Sequence, residues 1–401
     1  MKKFSFSGME SKKVGLFLSC EGISDTIYDS QVAMHVRQMR DFNINFLIFT
    51  FETWPNSYKK SLQKKNAAEK LSGAKIFLFN GCFIYLPFSG LINSILFFYY
   101  FSKLKRKPDF IHARTEYSVS IAILTSLLYG TSIIWDCRGH SYAELKEAFN
   151  KMNLFKKIYF YHYLFRIKFQ ILCSKIFCKK AIFVSKNLKD MIVGDSFSKP
   201  YIIVPTTASG SFFYFDTGNR MKFRDRLGIS EESIVLLYSG GIVGYQGFQN
   251  YVNLFSQLSK YNNYKFLIVT PHVSKVYDYL KNINIENYIV LNLPYSQMNA
   301  IYSAADYGVL IRDKNDVNAV ASPTKFSEYC LSGLPVIMND SINQSFNYAS
   351  EIGNLINIQT LKFETRLLQF SFSERYSISS KSRSLLSRDL FYSKYESLYK
   401  N

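Results

Sequence analysis

The stretch Ala321-Ser322-Pro323-Thr324-Lys325-Phe326-Ser327-Glu328-Tyr329-Cys330-Leu331-Ser332-Gly333-Leu334-Pro335-Val336-Ile337-Met338 decides how the chain is read. Pro323 suits the first turn of a helix, where its missing N–H costs nothing, and Ser322 before it suits the N-cap. Phe326, Tyr329 and Cys330 recur at helical spacing, so one face of that helix is apolar and buried. Gly333 stops the helix, and Leu334 to Met338 reads as a buried strand. The product is a loop, a short helix, a glycine stop and a strand.

The polar content of the helix start carries the chemistry. Backbone N–H groups at a helix N-terminus bind anions, phosphate above all. Ser322, Thr324 and Lys325 add two hydroxyls and a cation at the same place. Glu328, one turn further in, can accept hydrogen bonds from a neutral polyol such as ribose. Diphosphate at a helix tip with ribose beside a carboxylate describes a nucleotide sugar. An ordinary capped helix with a solvated Glu has the same spacing.

The pattern S-P-T-K-F-x-E-Y-x-x-x-G-x-P-V-I resembles the donor-binding segment of the retaining family 4 glycosyltransferases of the GT-B fold. That resemblance implies an α/β chain of two Rossmann-like domains facing a central cleft. Residues 1–205 would bind the acceptor and 206–384 the nucleotide sugar, and 385–401 would form a helix packing back on the first domain. It also implies transfer with retention, no metal requirement, and a nucleoside-diphosphate sugar as co-substrate in place of any cofactor.

Composition fits this frame. A chain of 401 residues is long enough for two ordinary domains, and 48% hydrophobic with 20% charged residues is globular composition. The six cysteines are scattered without a C-x-x-C pair, which suggests neither a zinc site nor a disulfide framework and fits a reducing cytosol. Met1-Lys2-Lys3-Phe4-Ser5 lacks the apolar core of a signal peptide. The net charge of +19 asks for an anionic partner: nucleic acid, a membrane surface or an anionic substrate. No recognisable DNA- or RNA-binding motif is present, so nucleic acid is set aside. The 36 Phe and 30 Tyr, with that charge, favour a protein of the membrane surface.

In the N-terminal half, Val14–Leu18, a helix over 30–41 and Phe46–Phe51 make a strand–helix–strand unit, whose loop Ser19–Asp29 belongs to a ligand cleft. The run Gly90–Phe101 is strongly apolar but shorter than the ~20 residues a span needs, so it reads as a core or interfacial helix. Phe110-Ile111 and Ile133-Ile134-Trp135 are buried strands that end abruptly in polar residues, His112 and Arg114 after one, Asp136, Arg138 and His140 after the other. "H-A-R-x-E-Y" and "D-x-R-G-x-x-x-x-E" are similar to acceptor-side signatures of a bacterial subgroup of the same family. By that resemblance His112, Arg114, Glu116, Asp136, Arg138 and Glu144 line the cleft opposite the donor. Lys151–Lys189 is the most basic stretch; Leu154, Ile158, Tyr161, Phe165 and Ile176 mark an amphipathic pattern. Two readings stay open for it, a solvated face over a core stripe and a surface docking on anionic lipid. Ala181–Ser185 is taken to close the first sheet.

In the C-terminal half, Thr206–Gly210 reads as the interdomain linker. Ser233–Tyr238 is a strand running into Ser239-Gly240-Gly241-Ile242-Val243-Gly244-Tyr245-Gln246-Gly247 and then a helix from about Phe248, where glycines let backbone approach phosphate. Many relatives carry Arg and Lys where this chain has Gly241 and Gln246, and Glu where it has Val320. Arg312, at the end of the strand Tyr307–Ile311, and Lys325 are the substitutes for the missing charge. The resemblance therefore implies Gly240, Gly241, Arg312, Ser322, Thr324, Lys325 and Glu328 on the donor, with His112, Asp136, Arg138, Arg312 and Lys325 nearest the chemistry. The remaining expectations are a lipid-linked glycan acceptor, an anionic membrane surface as partner, and a cytoplasmic location on the inner face of the plasma membrane.

Overall fold

The computed structural model describes residues 13–24, 28–54, 56–150, 152–242, 244–261, 263–281, 283, 287–361 and 367–400, without the side chains of Tyr159 and Tyr245. The segment Met1–Ser5, part of the Ser19–Asp29 loop, Lys151 and Val243 lie outside the described residues. The chain divides into two compact units, 1–204 with 392–401, and 205–391.

The first unit is built on seven parallel strands: β1 (Lys13–Ser19), β2 (Ile44–Glu52), β3 (Ile76–Asn80), β4 (Phe110–Arg114), β5 (Ser132–Cys137), β6 (Lys180–Phe183) and β7 (Tyr201–Ile203). Their order is β3-β2-β1-β4-β5-β6-β7. β6 does not close the sheet: β7 pairs with it in parallel and takes the edge. The strands are nearly continuous apolar runs because helices cover both faces; β2 is buried along its whole length. A π-helical turn, Asp29–Ala33, leads into α1 (Met34–Met39), and α2 (Ser57–Ser72) follows β2. Then come α3 (Ser89–Ser102), α4 (Thr115–Tyr129), α5 (Ser141–Asn150), α6 (Leu154–Phe177) and α7 (Lys186–Val193).

Strands β1 to β3 step toward one edge of the sheet and β4 to β7 toward the other. Right-handed crossovers therefore place α1 and α2 on one face and α3, α4 and α6 on the opposite face. The stripe Leu154, Ile158, Tyr161, Phe165, Ile176 of α6 faces outward, each residue more than half exposed. The buried side of that helix is Tyr163, Ile167, Gln170, Cys173 and Ser174. No helix among the described residues is long and apolar enough to cross a membrane.

The second unit repeats the plan with β8 (Ile234–Ser239), β9 (Tyr264–Val269), β10 (Tyr288–Leu291), β11 (Tyr307–Leu310), β12 (Val336–Met338) and β13 (Leu355–Asn357), ordered β10-β9-β8-β11-β12-β13. Its helices are α8 (Thr217–Arg226), α9 (Phe248–Leu258), α10 (Val273–Leu280), α11 (Met298–Ala304), α12 (Asp316–Ala319), α13 (Thr324–Leu331), α14 (Asn343–Ile352) and α15 (Phe372–Leu386). The segment read as a linker, 206–210, is built into this unit. Thr206, Thr207, Ala208 and Ser209 are buried, the Thr206 N–H donates to Ser322 Oγ at 2.8 Å, and Ser327 Oγ donates to the Thr206 carbonyl at 3.0 Å. Buried backbone needs such partners, so the segment beside the 204/205 boundary between the units is packed structure.

The last aromatic helix is broken. A turn of 3-10 helix, Arg388–Phe391, separates α15 from α16 (Tyr392–Lys400), and α16 belongs to the first unit. Its Tyr399 stacks on Phe110 of β4, ring centroids 4.9 Å apart.

Candidate active site

Both sheets change winding direction at one point, between β1 and β4 in the first unit and between β8 and β11 in the second. Ligands of such sheets bind outside the carboxyl ends of the strands at that switch. The polar clusters below lie at those ends.

In the first unit, His112 and Arg114 stand two residues apart on β4, and Arg114 is in register with Asp136 of β5. Side chains alternate along a strand, so all three emerge on one face. His112, Arg114 and Asp136 do not follow the strands but lie within their last residues, while Arg138 and His140 come after β5. Thr115 joins β4 to α4 without a loop and adopts φ 71°, a left-handed value that a β-branched residue resists. This abrupt strand-to-helix turn sets Arg114 and Glu116 on either side of it.

Asp136 is the hub. His112 Nε2 lies 3.2 Å from its Oδ2, Arg114 Nη1 3.6 Å from the same oxygen, and Arg138 Nη1 3.4 Å from Oδ1. Burial alone would raise its pKa, but Arg138, the His112 bond and Arg114 together hold it well below the usual carboxylate range. The same carboxylate raises the pKa of the buried Arg138 guanidinium against its own desolvation. An ionised Asp136 only accepts, so His112 donates through Nε2 and accepts at Nδ1. The Tyr399 hydroxyl, 2.8 Å away, donates to that Nδ1, and His35 Nε2 lies 2.9 Å behind Tyr399. The chain His35–Tyr399–His112–Asp136 thus runs in one direction. Burial lowers the pKa of His112 despite its bond to Asp136, which keeps the ring neutral.

Arg114 also donates to Glu21 in the loop after β1, and to Gln31 Oε1 at 2.7 Å, which Arg138 Nη2 reaches at 3.2 Å. Gln31 sits in the π-helical turn, a local irregularity often found at functional sites. Glu116 is buried, and burial raises its pKa even though Ser141 bonds to it. The Glu144 carboxyl lies against the turn at Gly139, where a Cβ would come within 2.9 Å of it. Desolvation there, then the charges of Glu116, Glu21 and Glu147, push its pKa up to about 7.

In the second unit, α13 begins at Thr324 with Pro323 as its N-cap, extended at φ −70° and ψ 128°, and no side chain caps it. Ser322 is not the N-cap: Pro323 stays extended rather than helical, so the helix starts one residue later, and the Ser322 hydroxyl accepts from Thr206 instead. Glu328 is buried, and its Oε2 receives Lys325 Nζ at 2.8 Å and the Tyr302 hydroxyl at 2.7 Å. Lys325 Nζ also lies 3.2 Å from Tyr302 Oη, while Ser239 Oγ, at the end of β8, lies 3.1 Å from it. Burial and then the charge of Glu328 raise the Tyr302 pKa well above its ordinary value, so it stays a hydroxyl donor.

The glycine loop meets this cluster from the β8 side. Gly247, at φ 71°, passes so close to β11 that a Cβ would collide with the Ile311 carbonyl. The Gln246 side-chain oxygen would lie 3.2 Å from a Cβ on Gly240 or Gly241, so it folds onto the loop. Ile242 N–H donates to His272 Nδ1 at 3.3 Å. Arg312 is buried; its Nη1 donates to Asn318 Oδ1 at 3.2 Å, and its carbonyl accepts from Asn339 and Ser341 at 2.7 Å each. Val320 is buried and apolar where relatives are expected to carry a carboxylate.

Two groupings therefore form within the units: His112, Arg114, Asp136 and Arg138 in the first, and Lys325 with Glu328 near the Gly240–Gly241 loop in the second. Sequence reading gave no site role to Glu21, Gln31, His35 and Tyr399 in the first, or to Ser239, His272 and Tyr302 in the second. Yet Gln31 stood in a stretch, Ser30-Gln31-Val32, that resembles the opening of the same family, and Ser239 opened the glycine loop. Glu21 and Gln31 had a signal, their place after the first strand. Among 30 tyrosines nothing singled out Tyr302 or Tyr399.

No protein-family model matches the chain, and no curated protein matches it by sequence. Solved structures do match, over almost the full length. Sucrose-phosphate synthase from Thermosynechococcus elongatus superposes with a TM-score of 0.64 at 12% identity, covering 97% of this chain and 98% of the other. Anabaena HepE in complex with UDP-glucose gives 0.64 at 11% identity, covering 97% and 100%. The fold is GT-B. WaaG, a glycosyltransferase involved in lipopolysaccharide biosynthesis, agrees with a TM-score of 0.62 at 13% identity over 96% and 99% of the two chains. In GT-B terms the first unit is the N-terminal Rossmann-like domain and the second the C-terminal one.

Proposed function

We propose that the chain is a retaining, metal-independent hexosyltransferase that moves a sugar from a nucleoside diphosphate to a hydroxyl of a lipid-linked oligosaccharide. The setting is surface-polysaccharide synthesis on the cytoplasmic face of the membrane, with the protein held there peripherally. The observation that carries this reading is the buried Glu328 beneath an uncapped helix start, bridged by Lys325 and Tyr302 beside a glycine loop at the sheet's switch point. In this reading Glu328 accepts the ribose hydroxyls, and the ammonium of Lys325, partly exposed, turns to the diphosphate. Arg312 and the backbone at Thr324, Gly240 and Gly241 complete the phosphate cradle, and Ser322 holds the segment before the helix in place.

The transfer breaks the bond between the anomeric carbon and the phosphate oxygen while the acceptor oxygen bonds to that carbon on the same face. The acceptor proton passes to the leaving phosphate oxygen. Lys325 and Arg312 offset the charge that grows on the nucleoside diphosphate. Asp136, held ionised by three cationic or donating neighbours, is too weak a base to take the acceptor proton; it orients sugar hydroxyls. Arg138 and Arg114 flank it, Glu116 and Glu144 line the acceptor side, and His112 acts through Asp136.

A second reading, a non-catalytic nucleotide-sugar or glycan-binding relative, is favoured by the engagement of both cations, Lys325 on Glu328 and Arg312 on Asn318. A thermal-shift panel of UDP, GDP, CDP and dTDP with EDTA, followed by donor turnover, separates the two. One diphosphate at ~100 times its Kd should stabilise by about 2.7 kcal/mol, and Lys325→Ala should abolish both the shift and turnover. A shift without turnover supports the binding module, and no shift from any nucleotide overturns the donor site.

A further inference from the structure

The structure assigns a second partner surface to the first unit, one that deepens the proposed peripheral membrane association and rests on it for the choice of partner. Three neighbouring helices on one face of the sheet each turn an apolar stripe outward. On α6 the outward positions Ile158, Tyr161, Phe165, Phe169, Leu172 and Ile176 are spaced by three or four residues, which is one helical face. All six are more than half exposed. On α3, Leu91, Ile95 and Tyr99 repeat the pattern, and on α4 Leu124, Leu127 and Leu128 do so.

The three stripes belong to one surface. Ser94 of α3 donates to the Ile121 carbonyl of α4 at 3.0 Å, and Gln170 of α6 donates to Ser120 of α4 at 3.3 Å. Arg166 of α6 bonds to Ser89 at the start of α3 at 2.7 Å. The helices are thus pinned to one another on their inner sides by polar bonds, and their large apolar side chains are left facing out. Soluble monomers rarely expose contiguous apolar surface on this scale unless it binds something.

Charge identifies the occupant. Across α3, α4 and α6 the only acidic residue is Glu116, which is buried at the site end of α4. Lys156, Lys157, Lys168 and Lys175 are interleaved with the stripe of α6, and Lys103, Lys105, Arg106 and Lys107 follow α3 directly. Arg106 is paired with Asp109, and Lys107 bonds the carbonyls at the end of α3, which leaves Lys103, Lys105 and the lysines of α6 beside the face. An apolar face edged by cations, on helices that carry no exposed acid, matches the headgroup–acyl boundary of an anionic bilayer. A second copy of the chain would bring the same positive charge to the contact and would be repelled. We propose that this three-helix face is a monotopic docking surface, with aromatic and aliphatic side chains inserted and the lysines on lipid phosphates. A helix of 24 residues is about 36 Å long, longer than the strands it covers. Its N-terminal half, whose Tyr163 shares an apolar cluster with Leu145 of α5, extends past their carboxyl ends on the side where Asp136 and Arg138 lie. The docked face therefore brings the acceptor-side cluster near the headgroups.

Vesicle co-sedimentation of the full chain, without nucleotide, tests this. Vesicles of phosphatidylcholine with 30% phosphatidylglycerol should bind the protein, with binding falling steeply with salt. Phe165→Ser/Leu172→Ser and Lys168→Glu/Lys175→Glu should each weaken binding by roughly tenfold or more. These positions belong to the first unit, and Glu328 and Lys325 to the second, so the nucleotide thermal shift should be unchanged in both variants. Loss of vesicle binding with the shift intact supports the face whatever becomes of the transfer reaction. Variants that bind like the parent overturn it, as does a stable dimer by light scattering that Phe165→Ser/Leu172→Ser dissociates.

Discussion

Asp136 and Glu328 are both buried carboxylates beside the end of a parallel strand, and their charges are balanced in different ways. Asp136 is enclosed by two guanidinium groups and an imidazole, of which Arg114 and His112 are buried and Arg138 largely so. Glu328 has one phenol, fully buried, and one ammonium that reaches solvent. The first cluster is fixed: every partner has a second partner of its own in Glu21, Gln31 or Tyr399. The second is exchangeable, since water or phosphate can take Lys325 away while Tyr302 stays. The difference suits the proposed roles, a rigid acceptor platform and a donor site that must open for an anion.

The widest break in that comparison comes from neutralising each hub. Asp136→Asn leaves two buried guanidinium groups facing an amide and should lower stability by about 3–5 kcal/mol. Glu328→Gln releases Lys325 to water and keeps a hydrogen-bond acceptor for Tyr302, so about 1–2 kcal/mol is expected. Urea unfolding of the full chain, followed by tryptophan emission for Trp135 beside Asp136 and by circular dichroism for the whole, reads both. Equal losses in the two variants would mean the clusters are equally fixed.

A narrower test removes one oxygen. Tyr399→Phe keeps the ring stacked on Phe110 but takes the hydroxyl from between His35 and His112. Two buried ring nitrogens then lose the bond they make to that oxygen, which should cost about 1–3 kcal/mol. If His112 acts through Asp136, turnover falls with little change in donor affinity; a drop in donor affinity alone would detach this chain of hydrogen bonds from the acceptor side.

The same contrast explains what could be read from sequence. The αβ alternation was legible because parallel strands buried on both faces are apolar runs, such as Phe46–Phe51, and glycine stops such as Gly333 punctuate the helices. Lys325 and Glu328 were legible as a pair because they are three residues apart on one helix. The direct partners of Asp136, His112, Arg114 and Arg138, were all legible as strand-end polar residues. Tyr399, which bonds to His112, was not: it arrives from the last helix of the chain, and only the fold brings it there. The Ser322 cap failed because Pro323 stays extended and the Ser322 hydroxyl is used elsewhere, to hold the Thr206 N–H. The outward stripe of α6 was undecidable from periodicity, which gives an apolar face without saying which way it points. Absence of acid over three helices was visible in the sequence, but only their adjacency gives it meaning.

The smallest expected effect concerns pH, where the first unit holds two groups of opposite sign. His112 has a lowered pKa in the folded chain, so its contribution is present above the unfolded value near 6.5 and is lost as pH falls through the folded one. Glu144 has a raised pKa, so its contribution is present below the unfolded value near 4.5 and is lost as pH rises through about 7. Glu144 is otherwise exposed, and solvent screening reduces its effect well below the full linkage value, to about 1 kcal/mol. Glu144→Gln should therefore stabilise the chain by that amount at pH 8 and leave it unchanged at pH 4. Between them the pH slope should flatten, while Glu116, raised for the same reason, keeps part of it. Thermal midpoints of parent and variant across pH 4 to 8 decide the point. Parallel curves would show that the Glu144 carboxyl is solvated like any surface acid, leaving the acid side of the profile to His112 and Asp136.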